Sequence, residues 1–167
     1  MKKMLLTFAC FCAALMTAAP LELPLPFKAG EKTPVSGWET QGKLIDADGA
    51  KAVALQPGET LKYVKGFPGK AGDKVAFTIV LKKSTGFFSL RLGQWAPEGW
   101  IGDNFVLVDG KKEFSEIKGE IVLKDAAAAD KAGIMRKVNR FDIRLYAHSN
   151  SKDVVIKDVK LEFIPKK

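Results

Sequence analysis

The chain contains few of the residues on which catalysis and covalent cross-links most often depend. It has two cysteines, Cys10 and Cys12, both near the amino terminus, and one histidine, His148. Removal of the amino-terminal segment would leave a mature chain with no disulfide, no thiolate nucleophile and no thiolate metal site. A single histidine also excludes a histidine-rich zinc site. Stability is therefore expected to come from an ordinary packed core.

The chain also lacks an apolar run of the length that a membrane-spanning helix needs. Residues 4–16 are apolar, but a span requires about 20 residues. A basic head precedes this run and the small residues Thr17, Ala18 and Ala19 follow it, which is the pattern of a signal peptide over residues 1–19. Cleavage after Ala18 or Ala19 predicts a secreted, periplasmic or cell-surface protein without stable membrane insertion. The alternative is an uncleaved anchor.

Several catalytic motifs are missing from the sequence. It contains no G-x-S-x-G nucleophile elbow, no H-E-x-x-H helix and no glycine-rich phosphate loop between a strand and a helix. A pair of carboxylates for glycoside cleavage stays open, because any two of the 19 acidic residues could meet in space. The acids mostly lie beside lysines or in turns, as on a solvated surface. We therefore predict that the protein is not an enzyme and needs no cofactor.

Arginine is scarce although the chain is basic. The formal net charge is +8, and of the 27 basic residues only Arg91, Arg136, Arg140 and Arg144 are arginines. Nucleic-acid modules usually concentrate arginine and aromatic residues on one element, whereas these lysines are scattered. The pattern predicts no nucleic-acid partner and a soluble surface with protected sheet edges. Electrostatic steering of an anionic polymer, such as an acidic polysaccharide, stays open.

The rest of the chain has the organisation of one β-rich domain. Residues 20–34 carry four prolines and form an extended lead-in, whose Leu21, Leu23, Leu25 and Phe27 are expected along a sheet edge. Residues 35–167 then alternate with period two between turn signals, as in Val75, Phe77, Ile79 and Leu81. This pattern predicts about eight to ten strands in an antiparallel β-sandwich or barrel.

Local signals predict turns, a bulge and one short helix. Asp48-Gly49 and Asp109-Gly110 are dipeptides typical of tight hairpins. Val155, Val159, Leu161 and Phe163 line the last strand, where Ile156 is shifted by one position and indicates a bulge. Residues 125–133 predict a short connecting helix, with Asp125 as its cap, four alanines inside and Gly133 at its end.

Polar and aromatic residues occupy the strand faces that point away from this core. If Phe88, Leu90 and Leu92 point inward, then Phe87, Arg91 and Trp95 point outward. Asp142, Arg144, Tyr146 and His148 form the outward set of a later strand. Trp100 follows Trp95 within the segment 93–103, which is predicted to be a loop that could form an aromatic clamp. Trp38 is predicted to lie in the core. Sugars need aromatic planes among planar hydrogen-bonding groups. The alternative is that these faces are covered, with Asp142 and Arg144 as ordinary rim charges.

From Trp38 to Phe163 the chain resembles the jelly-roll carbohydrate-binding modules of the galactose-binding-like fold, in particular the CenC type. The segments that carry the resemblance are residues 51–55, 61–64 and 73–83 at the start, Phe114–Leu123 in the middle, and residues 141–148 with 154–163 at the close. It implies a jelly-roll sandwich that binds glycans on a concave sheet face or in its end loops. It also implies a structural calcium at Asp158, but Lys157 replaces the usual second acid, and an ammonium group repels a cation.

The sequence therefore predicts an exported, non-catalytic domain that binds a poly- or oligosaccharide. The expected ligand-binding residues are Phe87, Arg91, Trp95, Trp100, Arg144 and Tyr146. The alternative is a periplasmic or cell-surface structural β-sandwich whose surface meets a protein partner and binds no sugar.

Overall fold

The alternating segments of the sequence form the strands of two antiparallel sheets. A computed structural model describes residues 21–23, 37–63, 65–127 and 133–167. Its strands are β1 (Leu21–Leu23), β2 (Trp38–Thr40), β3 (Lys43–Ala47), β4 (Ala50–Leu55), β5 (Thr60–Tyr63), β6 (Phe67–Pro68), β7 (Lys74–Lys82), β8 (Phe88–Ala96), β9 (Gly99–Leu107), β10 (Ser115–Val122), β11 (Ala126–Ala127), β12 (Met135–Arg136), β13 (Arg140–Ala147) and β14 (Val154–Ile164). Nine of them have four residues or more, which agrees with the predicted number.

Two six-stranded sheets account for most of these strands. Sheet I has the order β10-β7-β14-β4-β3, and β1 also pairs with β14. Sheet II has the order β2-β5-β13-β8-β9, and β6 also pairs with β13. The short strands β11 and β12 form a separate pair. The predicted antiparallel β-sandwich is therefore confirmed. Within the part of the chain that the structure describes, no helix has the length and apolar character to cross a membrane.

The core lies between the inner faces of the two sheets. Val75, Phe77, Ile79 and Leu81 of β7 are buried, and so are Phe88, Leu90 and Leu92 of β8. The inward residues of β13 are buried as predicted, and Trp38 is fully buried in this core. Because β-strand side chains alternate between faces, the opposite residues of β8 and β13 must lie on the outer face of sheet II.

The bulge in the last strand is confirmed, but Val155 rather than Ile156 faces away from the main core. The register of β14 against β7 shifts between Ile156 and Asp158. Ile156 faces the main core with Val159 and Leu161, whereas Val155 packs in a small separate cluster with Ala47 and Ala52. The extra residue in the bulge returns the alternation to the core after Lys157.

The Asp48-Gly49 hairpin is confirmed, whereas the Asp109-Gly110 hairpin is wrong. Asp48 and Gly49 have φ values of 49° and 75° and join β3 to β4 in a two-residue turn. Asp109 and Gly110 instead cross from β9 in sheet II to β10 in sheet I. Gly110 serves there for close approach, because a Cβ atom would lie 2.2 Å from Leu81 Cδ1.

The predicted helix over residues 125–133 is also wrong where it can be compared. Ala126 and Ala127 form β11, which pairs with β12, and residues 128–132 lie outside the described part. Asp125 does accept a backbone N–H, but at 3.0 Å from Val138 rather than from its own following turn. Ala126 packs against the main core, and such tertiary contact overrides the weak helix preference of a short alanine run.

The lead-in follows the expected course over the residues that the structure describes. Leu21–Leu23 pairs with β14 opposite Val159–Leu161, beyond the end of the β4 pairing. Leu25, Phe27 and the predicted signal segment over residues 1–19 lie outside the described part, so both stay predictions.

Candidate functional site

The outer face of sheet II gathers most of the polar and aromatic residues that the sequence singled out. Its outward side chains on β13 are Arg140, Asp142, Arg144, Tyr146 and His148, the last directly after the strand. Those of β8 are Ser89, Arg91 and Trp95, with Phe87 directly before it. Three of the four arginines of the chain therefore lie on one sheet face. The scattered lysines gave no sign of this concentration.

Arg91 is the centre of a hydrogen-bonded and stacked network on this face. Its Nε donates to Ser89 Oγ at 3.1 Å, and its Nη2 lies 3.4 Å from His148 Nε2. The guanidinium carbon lies 4.4 Å from the centre of the Tyr146 ring and 5.5 Å from that of Phe105. Stacking and hydrogen bonds at once fix the orientation of a side chain that would otherwise have many rotamers.

The surroundings of His148 favour its neutral form. Burial, and to a lesser degree the charge of Arg91, lower the pKa of His148 from 6.5. Its Nε2 also lies 3.1 Å from Ser89 Oγ. Because an arginine can only donate, Nε2 acts as the acceptor and the ring proton belongs on Nδ1. Protonation of Nε2 would place a hydrogen against the Arg91 guanidinium.

The ion pair of Arg144 and Asp142 lies across Gly93 in the middle of the face. Arg144 donates from Nε and Nη2 to the two carboxylate oxygens of Asp142, at 2.8 and 3.0 Å. This hydrogen bonding raises the pKa of the Arg144 guanidinium. A Cβ atom on Gly93 would lie 2.5 Å from Asp142 Oδ1 and 2.7 Å from Arg144 Nη2. The missing side chain at Gly93 is what lets the pair lie flat on β8.

Asp103 of β9 joins the two arginines from the other side. Its Oδ2 lies 3.7 Å from Arg91 Nη1, and its Oδ1 lies 3.9 Å from Arg144 Nη1. All three side chains are between 20% and 27% exposed, so their attraction is less screened than that of a fully exposed pair. Asp142 thus holds Arg144 through hydrogen bonds, whereas Asp103 attracts both guanidinium groups at longer range, and its buried Oδ1 has no hydrogen-bond partner among the described residues.

The two tryptophans lie on paired strands, and the prediction of a loop over residues 93–103 is wrong. β8 continues to Ala96, which pairs with Gly99 across the two-residue turn Pro97-Glu98. Proline suits the second position of such a turn and glycine the fourth, so the segment closes as a hairpin. Trp95 and Trp100 are direct partners beyond a bulge and therefore share the outer face.

The two indole rings have different environments. Trp95 is half-buried, its Nε1 donates to Asp142 Oδ2 at 3.0 Å, and the guanidinium carbon of Arg140 lies 4.9 Å from its ring centre. Trp100 is 44% exposed. Trp95 is thus fixed by the polar network, whereas Trp100 offers free aromatic surface.

Exposed apolar side chains border the polar network. Phe87 and Phe105 are 54% and 53% exposed, and Leu107 is 52% exposed on β9. Phe105 pairs directly with Arg91, and Phe87 lies next to His148 with ring centres 6.2 Å apart. A group of large exposed apolar residues on one face usually marks a site of interaction.

A surface depression of about 750 Å³ lies beside Arg144 and Trp95, toward strands β2 and β5. It is lined by Glu39, Thr40, Gln41, Thr60, Lys62, Trp95 and Arg144. One wall is aromatic, and the others present amide, hydroxyl, carboxylate and cationic groups. The lining of this depression is therefore mostly polar, with Trp95 as its apolar plane.

The structure brings together all six residues predicted to bind a ligand. Phe87, Arg91, Trp95, Trp100, Arg144 and Tyr146 lie on the outer face of sheet II, and their role in binding stays a prediction. Sequence reasoning missed Lys62, Gly93, Asp103 and Phe105 on the same face. Period-two alternation of Asp103, Phe105 and Leu107 against Asn104 and Val106 was the signal that could have found the β9 residues.

The residues around Asp158 do not fit a calcium ion. Asp158 Oδ1 accepts the backbone N–H of Val159 at 2.9 Å, and the preceding Lys157 places its ammonium 5.1 Å from the centre of the Phe114 ring. Among the residues that the structure describes, no three His, Cys, Asp or Glu side chains are placed to hold a metal ion. Calcium normally takes six to eight oxygen ligands, of which this position supplies one carboxylate.

Comparison with known proteins finds similarity only at the level of structure. No protein-family model matches the sequence, and no curated protein matches it. Similar solved structures include the N-terminal cellulose-binding domain of Cellulomonas fimi β-1,4-glucanase C, with 16% identity over 86% of this chain and 99% of that chain and a TM-score of 0.47. A carbohydrate-binding module of Cellvibrio mixtus lichenase 5A in complex with cellotriose has 15% identity over 74% and 86%, with a TM-score of 0.41.

A third similar structure is the family 11 carbohydrate-binding module of the Clostridium thermocellum cellulase Lic26A-Cel5E. It has 14% identity over 89% of this chain and 95% of that chain, with a TM-score of 0.45. All three similar structures are cellulose- or carbohydrate-binding domains, the kind of domain that the sequence resembles. At these identities and TM-scores the likeness assigns no function, and the chemistry of the chain's own residues must do so.

Proposed function

We propose that the protein is an exported, non-catalytic domain that binds carbohydrate through the outer face of sheet II. The observation that carries the proposal is the combination on one open face of exposed aromatic rings, a fixed arginine network and a depression walled by Trp95. Residues 1–19 support export, since they have the composition of a signal peptide. Amino-terminal sequencing of the exported protein should then begin at Ala19 or Pro20.

The chemistry of the face suits a sugar ring. The apolar C–H face of a sugar can pack on an indole or phenyl ring, as other apolar groups do. Its hydroxyl groups then need hydrogen-bond partners in fixed positions, because an unpaired polar group in a contact costs free energy. Arg91 stacks on Tyr146, and Arg144 is bound by Asp142. These side chains are therefore largely fixed and lose little conformational entropy when a ligand binds.

Asp103 and Asp142 have a positioning role in this proposal rather than a catalytic one. Each contacts a guanidinium group, and Asp142 also accepts the indole N–H of Trp95. The Asp142 carboxylate accepts hydrogen bonds from three donors, on Arg144 and Trp95, and it therefore positions these two side chains. The proposal therefore assigns binding without bond cleavage to this face.

Calorimetric titration of a panel of oligosaccharides tests the proposal. Cellobiose and cellotriose are suitable first ligands, since modules of similar structure were solved in complex with them. We expect a dissociation constant between about 1 mM and 1 μM, or about −4 to −8 kcal/mol. Trp100→Ala removes exposed aromatic surface and should weaken binding about fivefold, or about 1 kcal/mol. Trp95→Ala removes the wall of the depression and should weaken it at least as much.

Ile164→Ala is the matched control, because Ile164 is an exposed apolar residue on sheet I. It should leave binding unchanged. Equal effects of Trp100→Ala and Ile164→Ala, or the absence of binding to every oligosaccharide in a broad panel, would contradict the proposal.

A second candidate is a protein-interaction surface without sugar binding, at the periplasm or cell surface. Phe105 and Leu107 favour it, since both are about half exposed on β9, an edge strand of sheet II. This alternative predicts that Leu107→Lys abolishes co-purification with a partner. Carbohydrate binding instead predicts that Leu107→Lys has little effect on the affinity at the Trp95 depression.

A further inference from the structure

Three cations stand side by side across the outer face of sheet II. Lys62 of β5 is the direct partner of Arg144 in β13, and Arg144 is the direct partner of Arg91 in β8. We call these three residues the cation row. Neighbouring strands lie about 4.8 Å apart, and like charges directly opposite each other destabilise a sheet. Such a row carries an electrostatic cost wherever neighbouring carboxylates do not compensate it, and a bound anion would relieve that cost.

The neighbouring carboxylates compensate only part of this row. Asp142 is bound by Arg144, and Asp103 lies between Arg91 and Arg144. Glu39 is the cross-strand partner of Lys62 but forms no ion pair with it among the described residues. Lys62 is half-buried, and among the described residues no carboxylate oxygen lies within 4.0 Å of its ammonium group.

Lys62 and Arg144 both line the depression that Trp95 walls. Nη1 of Arg144 makes no hydrogen bond with Asp142, which is bound through Nε and Nη2, and it lies 3.9 Å from Asp103 Oδ1, beyond hydrogen-bond distance. The ammonium group of Lys62 has three donors. Two cationic donor groups and one carboxylate, that of Glu39, thus border a depression of about 750 Å³ that also contains an aromatic wall.

We propose that this depression takes a negatively charged sugar, whose carboxylate or sulfate group lies between Lys62 and Arg144 while its ring packs against Trp95. The inference rests on the proposed carbohydrate-binding function and names the class of ligand: an acidic glycan rather than a neutral one. Charge-assisted hydrogen bonds are about twice as strong as neutral ones, so the anionic group supplies much of the affinity.

Titrations with three oligosaccharides of equal length test the inference, one neutral (cellotetraose), one made of uronic acids and one carrying sulfate esters. The acidic ligands should bind at least tenfold more tightly than cellotetraose in 50 mM salt. The preference should decrease with added salt, since the depression is open to solvent. Comparison of the uronate with the sulfated ligand identifies which anionic group the depression prefers.

Lys62→Gln should weaken the acidic ligand about tenfold and cellotetraose by a clearly smaller factor, so that the preference for the acidic ligand decreases. Lys160→Gln is the matched control, because it removes the same charge from an exposed residue of sheet I. If both variants weaken the acidic ligand equally, overall charge and not the cation row attracts it, and the inference is wrong.

The failure of this inference differs from failure of the proposed function. Binding of cellotetraose as tight as that of both acidic ligands would overturn the charged-ligand inference and leave carbohydrate binding intact. Absence of binding for all three ligands would overturn both.

Discussion

Replacement of Gly93 by alanine should disrupt the proposed site without touching the core. The new Cβ atom would lie 2.5 Å from Asp142 Oδ1 and 2.7 Å from Arg144 Nη2, so the ion pair must move away from β8. The bidentate hydrogen bonds of 2.8 and 3.0 Å then break or lengthen, and Trp95 Nε1 loses its acceptor at 3.0 Å.

The expected size of this effect follows from two opposing contributions. Loss of one hydrogen bond to a charged group costs about 1.5–3 kcal/mol. Alanine in place of glycine within a strand recovers about 0.5–1 kcal/mol of backbone entropy. The free energy of unfolding should therefore decrease by about 0.5–2.5 kcal/mol, and the melting temperature by about 1–8 °C. Affinity for the oligosaccharide should decrease at least tenfold, because Arg144 and Trp95 lose their positions.

A double-mutant cycle separates this cause from a general intolerance of alanine in β8. In the Asp142→Ala background the nearest clashing atom is absent, and Arg144, no longer held by that carboxylate, can move its Nη2 away. Gly93→Ala should therefore be neutral or stabilising there. Thermal unfolding and calorimetric titration of the four proteins provide the readout. A Gly93→Ala variant that binds as tightly as the wild type, or that costs equal stability in both backgrounds, would contradict a clash between Cβ and the ion pair.

Two further predictions concern pH and the edge of sheet I. Because burial and Arg91 lower the pKa of His148 below 6.5, the unfolded chain takes up the proton first as the pH falls. The free energy of unfolding should therefore decrease as the pH falls below about 6.5. Unfolding curves at several pH values measure this decrease, and a proton NMR titration measures the pKa of this single histidine. A pKa of His148 at or above 6.5 would contradict the prediction. Gly49→Val should cost about 1–2 kcal/mol of stability through its left-handed backbone alone, because open space surrounds the position, and should leave ligand binding unchanged. A melting temperature of Gly49→Val equal to that of the wild type would contradict a left-handed turn at this position.

Much of the fold could be predicted because hydrophobic alternation directly reports which strand face is buried. Leu90 and Leu92 in β8, and Ile143 and Leu145 in β13, specify their inward faces without knowledge of partner strands. The outward residues of these two strands followed by elimination, and this reasoning placed Arg91, Arg144 and Tyr146 correctly on one face.

Strand register was the information that the sequence did not contain. Lys62 lies far from Arg91 in the chain, and only the pairing of β5, β13 and β8 makes these residues neighbours. The role of Gly93 depends on the same pairing, which brings Asp142 directly opposite it. Local signals failed where tertiary contacts decided the conformation, as at Asp109-Gly110 and in the alanine run after Asp125.

Chemical-shift mapping in an ¹⁵N-labelled protein tests the binding face most directly. The oligosaccharide with the highest affinity is titrated while the backbone amides of both sheets are followed. Perturbations should concentrate at Arg91, Trp95, Arg144 and Tyr146 of sheet II and spare Thr78 and Lys160 of sheet I. Perturbations centred on sheet I, or none at saturating ligand, would contradict carbohydrate binding by the outer face of sheet II.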